Sequence, residues 1–165
     1  MKKNLLPRIL VVLILLLFAM TCSASAAVVD NGNDPASRLN MRTAPDRSAE
    51  AKGKFVSGTP VEIVADAGGG WSQVKIGGGR HSVSGYMMTE YLHASSAVDA
   101  REIRTVASPY GTPAVVLRNR PSNSYDVVMM LAVGEGVTVI GMSGDFCYVQ
   151  TADGTVGCLL SSELN

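Results

Sequence analysis

The stretch Met41–Pro45, MRTAP, returns 76 positions later as Leu117–Pro121, LRNRP, and this repeat decides the fold. At the same offset, a glycine followed by alternating apolar residues opens Gly58–Val64 and again Gly134–Ile140. Two further matches follow in the same order, with shorter loops in the second copy: Gly70–Val74 with Asp145–Val149, and Gly85–Leu92 with Gly157–Leu164. Because order and polarity persist over about sixty residues, the chain is predicted to contain two copies of one small domain.

Apolar and polar residues alternate along both copies, and helical periodicity is nearly absent. This pattern predicts short strands separated by turns rich in Gly, Pro, Asn, Asp and Ser. The predicted strands lie near Ala27–Val29, Arg38–Arg42, Ala51–Phe55, Pro60–Ala65, Trp71–Ile76, Ser84–Met88, Thr105–Ala107, Val115–Arg118, Val127–Leu131, Val137–Met142, Cys147–Thr151 and Val156–Leu160. Each copy then ends in a segment that fits a single helical turn or a final edge strand, Thr89–Leu92 and Ser161–Leu164. Five or six short strands in about 65 residues indicate an all-β fold, a small barrel or a sandwich.

The first 26 residues have the layout of a secretory signal peptide. Three basic residues precede an uncharged apolar run over residues 9–20, and an A-x-A cleavage motif follows at Ala24–Ala26. We therefore predict a signal peptide over residues 1–26 and an exported protein, either periplasmic or secreted and associated with the cell wall. Two alternatives remain. One is an uncleaved anchor, although the run is short of the roughly 20 residues that a span requires. The other is a lipoprotein modified at Cys22, whose preceding residues fit a lipidation site poorly.

The charge of the exported part argues against two classes of partner. Loss of residues 1–26 removes three basic residues and no acidic one, which leaves eleven basic and fourteen acidic residues and a net charge of −3. Nucleic-acid binding depends on basic side chains that neutralise phosphates, so no nucleic-acid partner is expected. An anionic membrane surface is disfavoured for the same reason, so no membrane partner is expected after signal cleavage.

The repeat predicts a first domain at residues 27–93, a linker at 94–100 and a second domain at 101–165. A copy of about 65 residues is near the lower limit for an independent core, so packing between the copies or a covalent link would help. Cys147 and Cys158 flank an Asp-Gly turn between strand-like runs, which is typical of a hairpin. A disulfide between them is predicted, since export leads to an oxidising compartment. The alternative is two unpaired cysteines that fill barrel positions.

Catalysis, metals and cofactors are not expected. A cysteine nucleophile needs a histidine within hydrogen-bond reach, but Cys147 and Cys158 belong to the second copy whereas His81 and His93 belong to the first. The oxygen-rich segment Asp30–Asp34 lacks the spacing and terminal Glu of a calcium loop, so it is interpreted as a turn. Two histidines without clustered cysteines do not make a zinc site.

The order of these motifs resembles that of the bacterial SH3 family, the exported relatives of eukaryotic SH3 domains. The family pattern is N-V-R-x-x-P, a glycine followed by alternating apolar residues, G-W-x-x-V, and G-[YW]-V-x-x-x-[YW]-L. The first copy matches it at Asn40–Pro45, Gly58–Ile63, Gly70–Val74 and Gly85–Leu92. The resemblance covers nearly the whole exported part and implies two tandem, small SH3-like β-barrels.

The second copy departs from the family pattern at its aromatic positions. It has Val116 for the asparagine, Phe146 for the tryptophan, Cys158 for the first aromatic residue and Glu163 for the last. The second copy thus loses most of the aromatic surface that such domains use to hold a ligand. If one copy binds, the first is the better candidate.

The resemblance also implies a shallow aromatic groove in the first copy, formed by Trp71, Tyr86 and Tyr91 beside the loop around Arg42–Ser48. The alternative is that these rings cover the ends of a barrel too small to bury them. Arg42 and Arg118 occupy matching positions, where the stem can lie on the barrel while the head pairs with a carboxylate or a turn carbonyl. The full set of candidate ligand-binding residues is Trp71, Tyr86, Tyr91, Arg42, Arg120, Tyr125 and Tyr148.

The function implied by the resemblance is non-catalytic binding in the cell envelope. The first hypothesis is recognition of a cell-wall peptide of peptidoglycan, with the first-copy aromatic residues in contact with an extended peptide. The second hypothesis is an adaptor or regulator that binds an envelope protein through a surface composed of both copies. A purely structural spacer is the third.

Overall fold

The computed structural model describes residues 25–122, 124 and 126–165. These residues form thirteen strands in one continuous sheet and two single-turn 3-10 helices. Within these ranges, no helix is long and apolar enough to cross a bilayer. Residues 1–24 of the predicted signal peptide, Cys22 among them, and Tyr125 lie outside the described residues, so the predictions made for them stay predictions.

The two repeats use the same elements in the same order. The first contains β1 (Ser25–Val29), β2 (Arg38–Arg42), β3 (Ala51–Val56), β4 (Pro60–Gly68), β5 (Trp71–Ile76), β6 (Val83–Met88), a 3-10 helix (Thr89–Tyr91) and β7 (Leu92–His93). The second contains β8 (Glu102–Thr105), β9 (Ala114–Arg118), β10 (Val127–Ala132), β11 (Gly136–Ser143), β12 (Phe146–Gln150), β13 (Val156–Leu160) and a 3-10 helix (Ser161–Glu163).

Strand pairing repeats as well, and all of it is antiparallel. The first repeat pairs in the order β1-β4-β5-β6-β2-β3, and the second in the matching order β8-β11-β12-β13-β9-β10. The predicted all-β fold of two tandem copies is therefore confirmed. The alternative endings predicted for each copy both occur in the first, where the 3-10 helix leads into the two-residue strand β7.

One predicted strand is misplaced. The sequence placed the first strand of the second copy at Thr105–Ala107, but β8 runs over Glu102–Thr105 and pairs with β11. β8 is a mostly exposed edge strand, so it carries little of the apolar alternation that marks the other strands. The apolar signal came from Val106, which is buried but forms only an isolated bridge with Leu164.

A glycine brings two strands together beside the repeated arginine. A Cβ atom at Gly85 would lie 2.7 Å from the Arg42 carbonyl oxygen, and one at Gly157 would lie 2.8 Å from that of Arg118. Only glycine permits this approach, which explains why each copy starts its last motif with one. The contact pairs Arg42 with Tyr86 in one repeat and Arg118 with Cys158 in the other.

Each repeat has its own apolar core, but the core of the first extends into the second. The second-repeat core is formed by Val106, Val115, Leu117, Leu131, Val137, Val149, Leu159 and Leu164. The first-repeat core contains Phe55, Met41, Val74, Ile76 and Met87, among others, and takes in four residues of the second repeat: Ile140, Tyr148, Val156 and Cys158. The strands β12 and β13 are thus buried on both faces, which is why they are almost continuously apolar.

Backbone and side-chain hydrogen bonds join the repeats along this contact. β11 pairs with β3 at Gly141 and Phe55, which makes the two sheets continuous. The Tyr148 hydroxyl donates to the Lys52 carbonyl at 2.9 Å, and its ring lies 5.0 Å from that of Phe55. The buried Thr59 hydroxyl donates to the Ile140 carbonyl at 3.0 Å. These contacts fix the orientation of the two repeats.

The predicted disulfide between Cys147 and Cys158 is wrong in this structure, where both cysteines are free. Across the hairpin, Cys158 faces Tyr148, whereas Cys147 faces Leu159. Because neighbouring residues of a strand point to opposite faces, this one-residue offset places the two sulfur atoms on opposite sides of the sheet. Cys158 packs into the core shared by the repeats, and burial raises the pKa of its thiol to about 12.

Candidate functional site

The outer face of β2, β5 and β6 carries the predicted groove. Along β5 the even-numbered side chains Ser72, Val74 and Ile76 are buried, so the odd-numbered ones lie on the opposite face. That face presents Trp71, which is opposite Met88 in register. Tyr86 follows on the same face of β6 and lies opposite both Gln73 and Arg42.

A cleft of about 350 Å³ opens on this face at the end of the first repeat. Its lining is formed by Asn31, Ser37, Arg38, Leu39, Asn40, Arg42, Arg47, Trp71, Met88 and Tyr91. The structure therefore brings together three of the predicted residues: Trp71, Tyr91 and Arg42. Tyr86 lies beside Arg42 in register but outside the lining. Trp71 is 7% exposed and Tyr91 is 37% exposed, so one ring forms the floor and the other the open edge.

The charge of the cleft is entirely positive. Of the described residues, three arginines line it and no aspartate or glutamate does, although the exported part of the chain has a net negative charge. Arg38 donates from Nη1 to the carbonyl oxygens of Pro35, Ala36 and Ser37, which fixes its guanidinium against the preceding loop. An arrangement of fixed guanidinium groups and aromatic rings favours a ligand that is anionic and extended.

Arg42 is half-buried and is held at one nitrogen. Its Nη1 donates to the Ala49 carbonyl at 2.6 Å, as the sequence analysis anticipated for a turn carbonyl. A guanidinium has five N–H donors, so this bond leaves others to face the cleft. Arg47 is exposed, and within the described part of the chain no group accepts a hydrogen bond from it.

One carboxylate, Asp46, lies near the cleft without lining it. Its Oδ1 accepts hydrogen bonds from the Ser48 amide at 2.6 Å and the Ser48 hydroxyl at 2.7 Å. These bonds, and to a smaller extent the charge of Arg42, lower the pKa of Asp46. Among the described residues Asp46 forms no ion pair with Arg42, so its carboxylate offsets the positive charge of the cleft only in part.

The same position in the second repeat is closed. Arg118 corresponds to Arg42, and Glu163 corresponds to Tyr91. The Arg118 Nη1 lies 2.8 Å from Glu163 Oε2, and its Nη2 lies 3.1 Å from Oε1, so the pair is bidentate. Both side chains are at least 90% buried, and Arg118 lies over the Phe146 ring at 5.9 Å.

The remaining predicted residues lie elsewhere. Arg120 and Tyr148 both line a second cleft, of about 590 Å³, between the two repeats, together with Glu50, Lys52, His81 and others. Arg120 donates from Nε to the Ser124 carbonyl at 2.9 Å. Tyr148 is only 2% exposed, and its hydroxyl is used at the junction of the repeats, so its main contribution is to their packing. Tyr125 lies outside the described residues.

Sequence reasoning did not name seven of the lining residues as ligand-binding, among them the polar residues Asn31, Arg38 and Arg47. Arg38 and Arg42 lie four residues apart on one strand, and this even spacing signals a shared face. Arg47 belongs to the loop that the sequence analysis placed beside the groove. Asn31 had no such signal in the sequence. Its side chain is held beside the cleft by hydrogen bonds that its amide donates to the Ser37 and Phe55 carbonyl oxygens, and these are tertiary contacts.

Comparison of the sequence with known protein families identifies the family of this chain. The bacterial SH3 domain family matches residues 37–93 and 113–164. These two regions cover well over half of the chain and coincide with the two repeats, so this protein belongs to the bacterial SH3 domain family.

Individual relatives are longer than this chain. A putative N-acetylmuramoyl-L-alanine amidase, YrvJ, of Bacillus subtilis (strain 168) is 29% identical over 140 residues, which cover 80% of this chain and 26% of the amidase. NlpC1 from Trichomonas vaginalis is 12% identical with a TM-score of 0.39, over 89% of this chain and 47% of that one. An NlpC/P60 family protein from Bacillus cereus ATCC 10987 is 13% identical with a TM-score of 0.32, over 86% of this chain and 56% of that one. This chain thus spans about a quarter of the amidase and about half of the two solved chains.

Proposed function

We propose that this protein is an exported, non-catalytic binding protein of the cell wall, and that the cleft of the first repeat holds an extended wall peptide. The observation that carries the proposal is the combination of Arg42, Trp71 and Tyr91 in one open cleft, while the equivalent position of the second repeat is filled by its own Glu163. Membership of the bacterial SH3 family and similarity to a putative amidase support a target in the cell wall.

The chemistry of the candidate nucleophiles supports a binding role rather than catalysis. Cys158 is fully buried, and its thiol has a pKa raised to about 12, so little reactive thiolate forms near neutral pH. Cys147 contacts the Ser161 hydroxyl at 3.4 Å. His81 is held through Nδ1 by the Val156 carbonyl at 2.7 Å, at the junction of the repeats.

Co-sedimentation with protein-free sacculi tests the proposal. Trp71 is a poor first target, because truncation of a large buried aromatic side chain costs about 3–5 kcal/mol of stability. Tyr91→Ala and Arg47→Ala alter the exposed edge of the cleft instead. Tyr110→Ala and Arg104→Ala are matched controls, since Tyr110 is 85% exposed and the 3.6 Å ion pair of Arg104 with Glu102 is exposed.

The wild-type protein and both controls are expected to pellet with the sacculi, whereas the two cleft variants stay in the supernatant. Binding should also weaken as salt is raised, because the cleft is cationic. Pelleting of all five proteins would contradict the role of the cleft. If none of the folded proteins pelleted, the wall-binding function itself would be wrong.

A second candidate function is an adaptor for an envelope protein. The observation that favours it is the cleft of about 590 Å³ between the repeats, which exists only because the continuous sheet fixes their orientation. An envelope protein that co-purifies with the wild type, and is lost on Arg120→Ala but not on Tyr91→Ala, would support this alternative.

A further inference from the structure

The Arg118–Glu163 ion pair in the second repeat and the cleft of the first repeat occupy matching positions. Both arginines end the second strand of their repeat, and both pair across the sheet with the residue that follows a close-approach glycine, Tyr86 or Cys158. Both repeats then continue into a 3-10 helix, whose last residue is Tyr91 in the first and Glu163 in the second. Tyr91 lines the same cleft as Arg42, and Glu163 pairs with Arg118.

In the second repeat, the chain supplies its own carboxylate. Glu163 accepts two hydrogen bonds from the Arg118 guanidinium and a third from the Leu160 amide, whose nitrogen lies 2.8 Å from Oε2. Two charge-assisted hydrogen bonds and one backbone hydrogen bond therefore satisfy most of the acceptor sites of this carboxylate. This position is therefore occupied from within.

In the first repeat, the acid is absent and the arginine is retained. Tyr91 replaces the glutamate and is 37% exposed, so a cleft remains where the carboxylate would lie. Arg38 and Arg47 add two further positive charges to the lining, which contains no acidic residue from the described part of the chain. A guanidinium with free donors in a partly desolvated cleft binds a carboxylate more strongly than a neutral amide.

We infer that the first-repeat cleft is specific for a carboxylate group on its peptide ligand, with Arg42 as the group that binds it and Tyr91 as the residue that keeps the position open. This inference rests on the proposed function, since it names the chemical class of the ligand at the same cleft. The carboxylate comes from either an acidic side chain or the C-terminus of a peptide.

Trp71 provides the readout, because it is the single tryptophan of the chain and lines the cleft. Its fluorescence is titrated with three N-acetylated peptides: Ac-Ala-Glu-Ala-NH2, which has a side-chain carboxylate, Ac-Ala-Gln-Ala-OH, which has a C-terminal carboxylate, and the neutral Ac-Ala-Gln-Ala-NH2. We expect at least one of the two carboxylate peptides to bind at least about tenfold more tightly than the neutral one, and which of them does so identifies the source of the carboxylate.

The variant Tyr91→Glu copies the arrangement of the second repeat and should fill the cleft with an internal carboxylate. We expect it to weaken carboxylate-peptide binding at least about tenfold relative to Tyr91→Gln, which has the same size but no charge. Tyr91 is partly exposed, so both variants should fold, and equal thermal midpoints verify this.

Three results would overturn the inference: equal affinity for the neutral peptide and both carboxylate peptides, no fluorescence change with any peptide at millimolar concentration, or equal binding by the Glu and Gln variants. Sacculi whose carboxyl groups have been amidated separate this inference from the proposed function. Pelleting with untreated and amidated sacculi alike would leave wall binding in place and remove carboxylate specificity. Selective peptide binding without pelleting would leave the specificity in place and remove the wall function.

Discussion

Glu163 and Arg118 form a bidentate ion pair in the interior of the second repeat, with the side chains 8% and 10% exposed. The two residues are separated by 45 positions in the sequence, and they join the end of β9 to the last 3-10 helix. The first repeat has the same two elements but no acid at the corresponding place. One substitution between copies, glutamate for tyrosine, thus separates a self-filled position from an open cleft.

Removal of one partner of this pair should destabilise the protein strongly. Glu163→Ala leaves Arg118 charged and buried, and such changes lower the free energy of unfolding by about 3–5 kcal/mol. Urea unfolding followed by circular dichroism measures the loss. The double variant Arg118→Met, Glu163→Leu should regain much of it, since two apolar side chains leave no buried charge. A Glu163→Ala protein within about 0.5 kcal/mol of wild type, the range of ordinary surface substitutions, would contradict this account.

Glycine at position 141 should be required for the junction of the repeats. A Cβ atom there would lie 2.7 Å from the Lys54 carbonyl oxygen and 3.0 Å from Phe55 Cδ1, where β11 meets β3. Gly141→Ala is expected to lower the unfolding midpoint, because backbone atoms must move apart. Gly136→Ala is the matched control on the same strand, since its Cβ would meet only Ile103 Cγ2 at 4.0 Å. Equal midpoints for the two variants would refute the close approach.

The two repeats should unfold together. Trp71 lies in the first repeat, whereas Tyr148 lies in the second and donates its hydroxyl to Lys52 across the junction. Tyr148→Phe removes that hydrogen bond and should lower the stability reported by Trp71 fluorescence by about 1 kcal/mol. Coincident fluorescence and circular-dichroism transitions would establish one cooperative unit. A fluorescence transition unchanged by the variant would show that the first repeat is stable on its own.

The two cysteines should be reactive as free thiols, but at different rates. A thiol reagent added without reductant to the unfolded exported protein should titrate both Cys147 and Cys158. In the native state Cys147 should react first, because Cys158 is buried and the pKa of its thiol is raised to about 12. Cys147→Ser should leave only the slow reaction. Recovery of thiols only after reduction would demonstrate the disulfide that this structure lacks.

Stability should fall at alkaline pH. Burial raises the pKa of Cys158 from 9.0 to about 12 and also raises that of Tyr148 above its ordinary value of 10.0. Below pH 9 both groups are neutral in the folded and unfolded states, so the stability is fully present there. Above pH 9 the unfolded chain loses protons that the folded chain retains, so stability declines as the pH rises towards 12. Urea midpoints from pH 7.5 to 10.5 measure this decline, and Cys158→Ala should reduce it. A flat profile would show that these groups are solvated.

The sequence by itself determined the architecture. The repeated motifs gave the number of copies, and period-2 alternation placed nearly all the strands, since side chains of a strand must alternate between core and solvent. It also placed Arg42, Trp71 and Tyr91 in one functional group. The copy number and the strands depend on local patterns that both copies carry, and the functional group depends on motif residues of the first copy. The position of β8 was predicted wrongly because an exposed edge strand has no apolar face and therefore lacks the alternation that identifies a strand.

Only the tertiary structure decided which face each residue occupies and what it meets there. A one-residue offset across the β12–β13 hairpin sends Cys147 and Cys158 to opposite sides of the sheet, and this offset leaves no trace in the sequence. The contact between the repeats turns Tyr148 from a candidate ligand residue into part of a shared core. In the sequence, Glu163 stands where the family pattern has an aromatic residue, but in the structure it forms an ion pair with Arg118. Register and long-range contacts depend on the packing of the whole chain. The hydrophobic effect is non-directional, so an apolar pattern indicates which residues are buried but not which residues they contact.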